Sequence, residues 1–314
     1  MKIGLGTAAL GRPQYINVRL KQVDNSDLNA FKKQSFSVLE NAYQSGVRYF
    51  DTAPGYGLAE DLVLEWLQTK NNKSIEVATK WGYTYTANFN PDAKIHEIKE
   101  HSSAKLKEQW QFSKQLLPYL KVYQIHSATL ETGVLENKSV LEQLAFLKKE
   151  YNLKIGVTTT GTNQVEVIQK ALNVCIDGEQ LFDVYQVTYN FLDQSLIEIS
   201  DELIKQNKSI VIKEALANGR IFRNKKYPHY QKTYTILENL ANKYKVGVDA
   251  IALKYCIQTI PKSVVLSGAS NPNQLKENLK TNSFVLTLDE IEQLNSFKIS
   301  PGIYWQERKE LQWN

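Results

Sequence analysis

Cysteine is nearly absent. Cys175 and Cys256 are the only two in 314 residues, with no CxxC spacing, which argues against a disulfide framework. Histidine is almost as scarce: four residues, at 96, 101, 126 and 229, too scattered to suggest a zinc site, so no metal is expected. No apolar run approaches membrane-spanning length, and "MKIGLGTAAL" lacks the apolar core and cleavage site of a signal peptide. A reducing cytoplasm is the default expectation. No Pro/Ser/Gly linker or low-complexity segment divides the chain. A one-signed charge stripe is missing too: 38 Lys/Arg are interleaved with 33 Asp/Glu, a net charge of +5, which makes nucleic acid a poor partner. What is present, 42% hydrophobic and 23% charged residues, is ordinary for a globular protein with a sizeable core.

The dominant pattern is alternation. Short β-rich runs ("KIGLGTA", "VRYFD", "IEVATK", "LKVYQIHS", "LKIGVTT", "FDVYQVTYN", "SIVIKEA", "KSVVLSG") are separated by segments of helical period. The helical segments include "QSFSVLENAYQSG", "LAEDLVLEWLQTK", "HEIKEHSSAKLKEQWQFS", "SVLEQLAFLKKEYN" and a single stretch from Thr233 to Gln258. Strands separated by helices imply parallel pairing and right-handed crossovers. Eight units predict an α/β fold, a closed (β/α)8 TIM barrel forming one domain over residues 1–314, with an open doubly wound sheet as the alternative. Two places break the period: "WGYTYTANFNPDAK", and a C-terminal loop over residues 298–314; long, aromatic-bearing loops on a rigid scaffold are more often functional than decorative.

In a parallel barrel the carboxyl ends of the strands face the active site. There the sequence sets Asp51, Lys80 and His126, with Tyr56 just beyond Asp51 in "FDTAPGYG". Singly, Asp51 also suits an Asx turn or helix cap, Lys80 a solvated strand end, Tyr56 a loop aromatic and His126 a satisfied rim histidine. Together they suit proton donation to a carbonyl oxygen. A tyrosine has a solution pKa of about 10, a neighbouring ammonium stabilises its phenolate, and a carboxylate offsets the cost of desolvating that ammonium. A neutral imidazole N–H would orient the carbonyl beside the Tyr56 hydroxyl.

"GVRYFDTAPGYG", "VATKWG" and "VYQIHS" resemble, in order, the segments that carry the Asp and Tyr, the Lys and the His of the aldo/keto reductase superfamily. The resemblance covers nearly the whole chain. It implies an NADP(H)- or NAD(H)-dependent oxidoreductase interconverting aldehydes or ketones and alcohols. It implies catalytic roles for Asp51, Tyr56, Lys80 and His126. For the nucleotide it implies Gly6 and Thr7 of "GLGT" near the nicotinamide, and Gln186 of "VYQVTYN" with Thr158 and Thr159 at its carboxamide. Leu216 lies in "LANG", similar to a pyrophosphate loop. Gly268, Ala269, Ser270, Gln274, Glu277 and Asn278 of "LSGASNPNQLKEN" resemble the adenosine-phosphate segment.

Two departures stand out. Lys213 falls where many members place an aromatic ring against the nicotinamide, and Gln274 where many carry the Arg that recognises a 2′-phosphate. NADP is the family default, with NAD or dual use as the alternative. Trp81, Tyr83 and Tyr85 are expected to line the substrate pocket, with a solvated or packed loop as the alternative; Tyr304, Trp305 and Trp313 resemble the C-terminal loop that closes over substrate in relatives, with a tail packed on the barrel as the alternative. His96, His101 and His229 are expected to be solvated, and both cysteines to be small core residues. Two other readings stay open: a nucleotide-binding sensor or partner subunit with little turnover, and a Schiff-base aldolase using Lys80 or Lys213.

Overall fold

A computed structural model describes residues 2–13, 27–90 and 92–312. Eight parallel strands close a barrel: β1 (Ile3–Gly6), β2 (Tyr49–Asp51), β3 (Glu76–Trp81), β4 (Leu120–Ala128), β5 (Lys154–Thr159), β6 (Val184–Thr188), β7 (Ser209–Lys213) and β8 (Val264–Ser267). Each pairs with its sequence neighbours, and β1 pairs with β8 to complete the ring. The open-sheet alternative is thereby excluded.

Helices surround the barrel because each carries an apolar face and a stop signal. Ala59–Gln68 buries Leu62, Val63, Trp66 and Leu67, and Trp66 meets Phe50 of β2 at 4.8 Å between ring centroids. Lys138–Tyr151 begins on Asn137, whose side chain accepts from the Val140 N–H, and ends on left-handed Asn152. Leu288–Asn295 carries a full capping box, Thr287 with Glu290. Among the described residues no helix is long and apolar enough to cross a membrane.

Strand alternation positions the site. Ala78, Val122, Val184, Val211 and Leu266 form one small apolar cluster with Tyr49 and Val264, apart from the main core between barrel and helices. They lie on five different strands, so they fill the lumen. Side chains two residues on share that face: Asp51 after Tyr49, Lys80 after Ala78, Gln124 after Val122, Gln186 after Val184 and Lys213 after Val211. A polar layer thus sits directly above an apolar one, at the carboxyl ends of the strands.

Several expectations need correction. "HEIKEH" is not helical: Glu97–Lys99 pairs antiparallel with Tyr83–Tyr85, and the helix starts at Ser103 behind a Ser102 cap. The stretch from Thr233 to Gln258 is two helices, Gln231–Tyr244 and Val248–Thr259, parted at left-handed Lys245. The C-terminal segment is not a loop, since Ser300 caps, and Pro301 begins, a helix that runs to Lys309. Cys256 is buried, but Cys175 is exposed. Trp313 lies outside the described residues.

Candidate active site

Pro54–Tyr56 forms one 3-10 turn after β2, and Gly57 takes φ 64°, a left-handed conformation that costs glycine least. Gly11 permits the return: a Cβ there would lie 1.9 Å from the Tyr56 carbonyl oxygen. The turn brings Tyr56 back over the barrel mouth.

Beneath it lies a buried ion pair. Lys80, fully enclosed at 0% exposure, donates from Nζ to Asp51 Oδ2 at 2.5 Å and to the Thr52 carbonyl at 3.1 Å. Burial pulls the Lys80 pKa down while Asp51 opposes the shift. The other Asp51 oxygen accepts from Gln186 Nε2 at 2.6 Å and Gln124 Nε2 at 3.4 Å. The carboxylate therefore balances the ammonium and is itself held by two amides, the condition under which a buried pair is tolerated. Lys80 Nζ sits 4.8 Å from the Tyr56 ring centroid.

His126 completes the group. Its Nε2 is 3.5 Å from the Tyr56 hydroxyl, and its ring meets Tyr56 edge-on at 5.4 Å and Tyr83 at 4.6 Å. Burial first, then the charges of Lys80, Arg12 and Lys213 with His101 nearby, hold His126 well below the ordinary imidazole pKa. It is neutral at physiological pH. A 3.5 Å contact is at the outer limit of hydrogen bonding. Asp51, Tyr56, Lys80 and His126 form one cluster.

The predicted nucleotide residues divide into two sets. At the barrel end, Thr7 bonds the Asp51 carbonyl through both its N–H and its hydroxyl, each at 2.9 Å, and Gly6 pairs with Asp51. Thr158 Oγ1 accepts the Ser127 N–H at 2.6 Å, Thr159 Oγ1 donates to Gln164, and Gln186 is turned onto Asp51. These groups line the rim but are partnered within the protein. At the other end a Cβ added at Gly268 would meet nothing within 4 Å. Ser270 offers its N–H and its hydroxyl to one acceptor, Gln274 Oε1, at 2.9 and 3.0 Å. Ala269 is buried, with its N–H on Ser267 Oγ. Glu277 pairs with Lys280, and the buried Asn278 amide lies 2.8 Å from Ser267 Oγ. Leu216 opens a turn in which Ala217, Asn218 and Gly219 all take positive φ.

The expected substrate residues are split. Tyr83 stays at the mouth against His126. Trp81, at 0% exposure, packs into the core edge-on to His101 instead of facing the pocket. Tyr304 is likewise enclosed: its hydroxyl donates to Glu214 Oε2 at 3.1 Å and accepts from Asn190 Nδ2 at 3.0 Å. Trp305 is buried beside Lys213, whose Nζ lies 5.8 Å from its ring centroid. Arg308 to Glu214 and Arg220 to Glu307 complete this latch between the C-terminal helix and the loop after β7.

Sequence reasoning missed Gln124, although its position two residues before His126 on an inward-facing row signals it. It also misplaced His101. Its Nε2–H donates to the His126 carbonyl at 2.9 Å, and burial lowers its pKa to about 4. His96 is buried as well, while His229 is exposed and contacts Glu307.

Comparison with known proteins agrees with this geometry. A sequence model of the Aldo/keto reductase family matches residues 2–299. Relatives include an NADH-specific methylglyoxal reductase of Escherichia coli, 24% identical over 311 residues and 88% of each chain. Norsolorinic acid reductase B of Dothistroma septosporum is 24% identical over 288 residues, covering 84% of this chain and 72% of the relative. In fold the chain is similar to a holo-form aldo-keto reductase from Bacillus halodurans, with TM-score 0.70, 20% identity and coverage of 95% and 92%. A glycerol dehydrogenase of Gluconobacter oxydans gives TM-score 0.69 at 20% identity, covering 94% and 90%. The chain belongs to the aldo/keto reductase family, oxidoreductases that act on carbonyl compounds with a nicotinamide cofactor.

Proposed function

We propose that the protein interconverts a small aldehyde or ketone and its alcohol, with Tyr56 as the proton donor in reduction and acceptor in oxidation. The observation that carries this reading is the 3.5 Å approach of the Tyr56 hydroxyl to a neutral His126 above the buried Lys80–Asp51 pair. A carbonyl oxygen bridging Tyr56 and His126 meets two donors, one of which can release its proton. As the proton leaves Tyr56, the growing phenolate charge faces the Lys80 ammonium. Asp51 keeps that ammonium charged and fixed, while Gln124 and Gln186 keep Asp51 in place. Positioned donors of this kind act without reorganising when charge develops. Lys80 is too enclosed and too well bonded to serve as the amine of a Schiff-base aldolase, and the oxidoreductase relatives do not favour a sensor.

The nucleotide supplies the hydride. The residues that would hold it are Gly6, Thr7, Thr158, Thr159, Gln186 and Lys213 at the nicotinamide end, then Leu216, Gly268, Ala269, Ser270, Gln274, Glu277 and Asn278. The open space above Gly268 and the paired donors of Ser270 fit an adenosine phosphate end. The same donors bear on cofactor choice. Gln274 Oε1 already accepts both Ser270 donors, so a 2′-phosphate would have to displace a neutral amide without gaining a guanidinium. We therefore set aside the family default of NADP and propose that NAD(H) is used at least as well. Relatives include one that is NADH-specific.

The test is turnover of an aldehyde and ketone panel, including sugars, with NADH and NADPH, alongside both dissociation constants. Turnover with NADH at no less than NADPH rates is expected. Tight nucleotide binding with no turnover on any carbonyl would overturn the enzymatic reading, and a strong NADPH preference the cofactor reading.

A further inference from the structure

Two opposite walls of the barrel each carry a lysine in the polar layer. In the closed order β1-β8-β7-β6-β5-β4-β3-β2, strand β7 is diametrically opposite β3. Lys213 ends β7 two residues beyond lumen-facing Val211, as Lys80 stands two beyond Ala78 on β3, so both belong to the polar layer. Lys80 is neutralised by Asp51. Lys213 has no such partner: its Nζ donates to Thr188 Oγ1 at 2.8 Å, and no described carboxylate lies within 4 Å of it. Its neighbour Glu214 takes φ 56°, and its carboxylate serves Arg308 Nε at 3.2 Å and the Tyr304 hydroxyl at 3.1 Å. Asp193, the next acid in reach, is buried on Ser195. A lysine with no ion-pair partner among the described residues therefore borders the mouth on the side away from the catalytic group; burial lowers its pKa, and Glu214 opposes that shift.

Resting on the proposed reading of the site, the location of that charge has a consequence. The carbonyl oxygen is held by Tyr56 and His126, which come from β2 and β4 on either side of β3. In that reading Lys213 belongs to the nicotinamide end of the nucleotide site, where its Nζ bonds Thr188 on β6, the strand that also carries Gln186. We infer that Lys213 sets a positive charge against the nicotinamide ring and makes the protein discriminate between its redox forms, holding the neutral reduced ring in preference to the cationic oxidised one. Reduced nucleotide is thereby loaded, and oxidised nucleotide released, in preference, while hydride transfer out of the bound reduced ring becomes less favourable by the same factor. Attraction of Lys213 to the phosphates is common to both forms and cancels in the ratio of their affinities. The ratio isolates the ring charge.

The effect is on the order of tenfold, between the limits for unit charges about 4 Å apart in bulk water and at an effective dielectric near 20, and nearer the first. Each tenfold of preference for the reduced form raises the midpoint potential of the bound couple by about 30 mV. Dissociation constants for NADH and NAD+, and for NADPH and NADP+, are measured at pH 7 by fluorescence titration and calorimetry on wild type, K213M, K213Q and K213R. K213M and K213Q are expected to reduce the Kd(NAD+)/Kd(NADH) ratio about tenfold, chiefly by tightening NAD+, while K213R keeps it within about threefold. Ratios within about twofold of wild type in both neutral variants, with both nucleotides still bound, would overturn the inference. Failure of wild type to bind any nucleotide would instead overturn the functional reading beneath it.

Discussion

Glu60 titrates near neutrality inside the protein, so replacing it should change how stability responds to pH. It stands in the first turn of helix Ala59–Gln68, 2% exposed, with Oε1 accepting from Thr79 Oγ1 at 2.6 Å and Ser113 Oγ at 2.9 Å. Its other oxygen has no hydrogen-bond partner among the described residues. Burial outweighs these two bonds and pushes its pKa from 4.5 to about 7. The folded state therefore binds this proton more tightly than the unfolded chain, so the carboxyl subtracts stability as pH rises from about 4.5 to about 7 and by a constant amount above. A difference of about 2.5 pKa units is worth about 3 kcal/mol, of which about 2–3 kcal/mol develops between pH 5 and pH 8. Glu60→Gln keeps the acceptor and removes the titration. Urea unfolding of wild type and variant at pH 5 and pH 8 reads the difference of differences, in which other titrating groups cancel. The variant should gain about 2–3 kcal/mol on wild type over that interval. Parallel pH profiles would refute the argument. Because the Glu60 charge also raises the Lys80 pKa, the same carboxyl links pH to the buried Lys80–Asp51 pair.

Two further perturbations test the site's electrostatics. Asp51→Asn leaves an enclosed Lys80 ammonium without a counter-charge and should cost about 3–5 kcal/mol in denaturant unfolding, whereas Asp51→Asn with Lys80→Met should recover most of it; equal losses in both would show that the pair is not what is being broken. Gln274→Arg frees both Ser270 donors and adds a guanidinium, so the affinity for NADPH relative to NADH should rise about 10- to 100-fold by titration; an unchanged ratio would place the 2′-phosphate elsewhere.

Much of this site was legible because a barrel converts a period of two into a layer. Asp51, Lys80 and His126 end inward-facing rows, and the glycines of "APGYG" announce the turn that returns Tyr56. Gln124 lay on the same row as His126 and was readable by the same rule. Other features depend on what meets a residue from elsewhere in the chain. Helical spacing in "HEIKEH" yielded to pairing with Tyr83–Tyr85, which ties Lys99 to Tyr83 and closes Gly82 against His101. The enclosure of Tyr304 depends on Glu214 and Asn190, 90 and 114 residues away. No local pattern marks such contacts. Gln274 was visible as a missing cation, but its occupation of the Ser270 donors is a matter of geometry.

The central claim is that Tyr56 moves the proton, and Tyr56→Phe tests it most directly. Single-turnover reduction of an active aldehyde, measured with nucleotide affinity in the same preparation, should show the rate reduced about 10²–10⁴-fold with the dissociation constant for NADH unchanged. A variant that reduces the aldehyde at near wild-type rate would contradict the account.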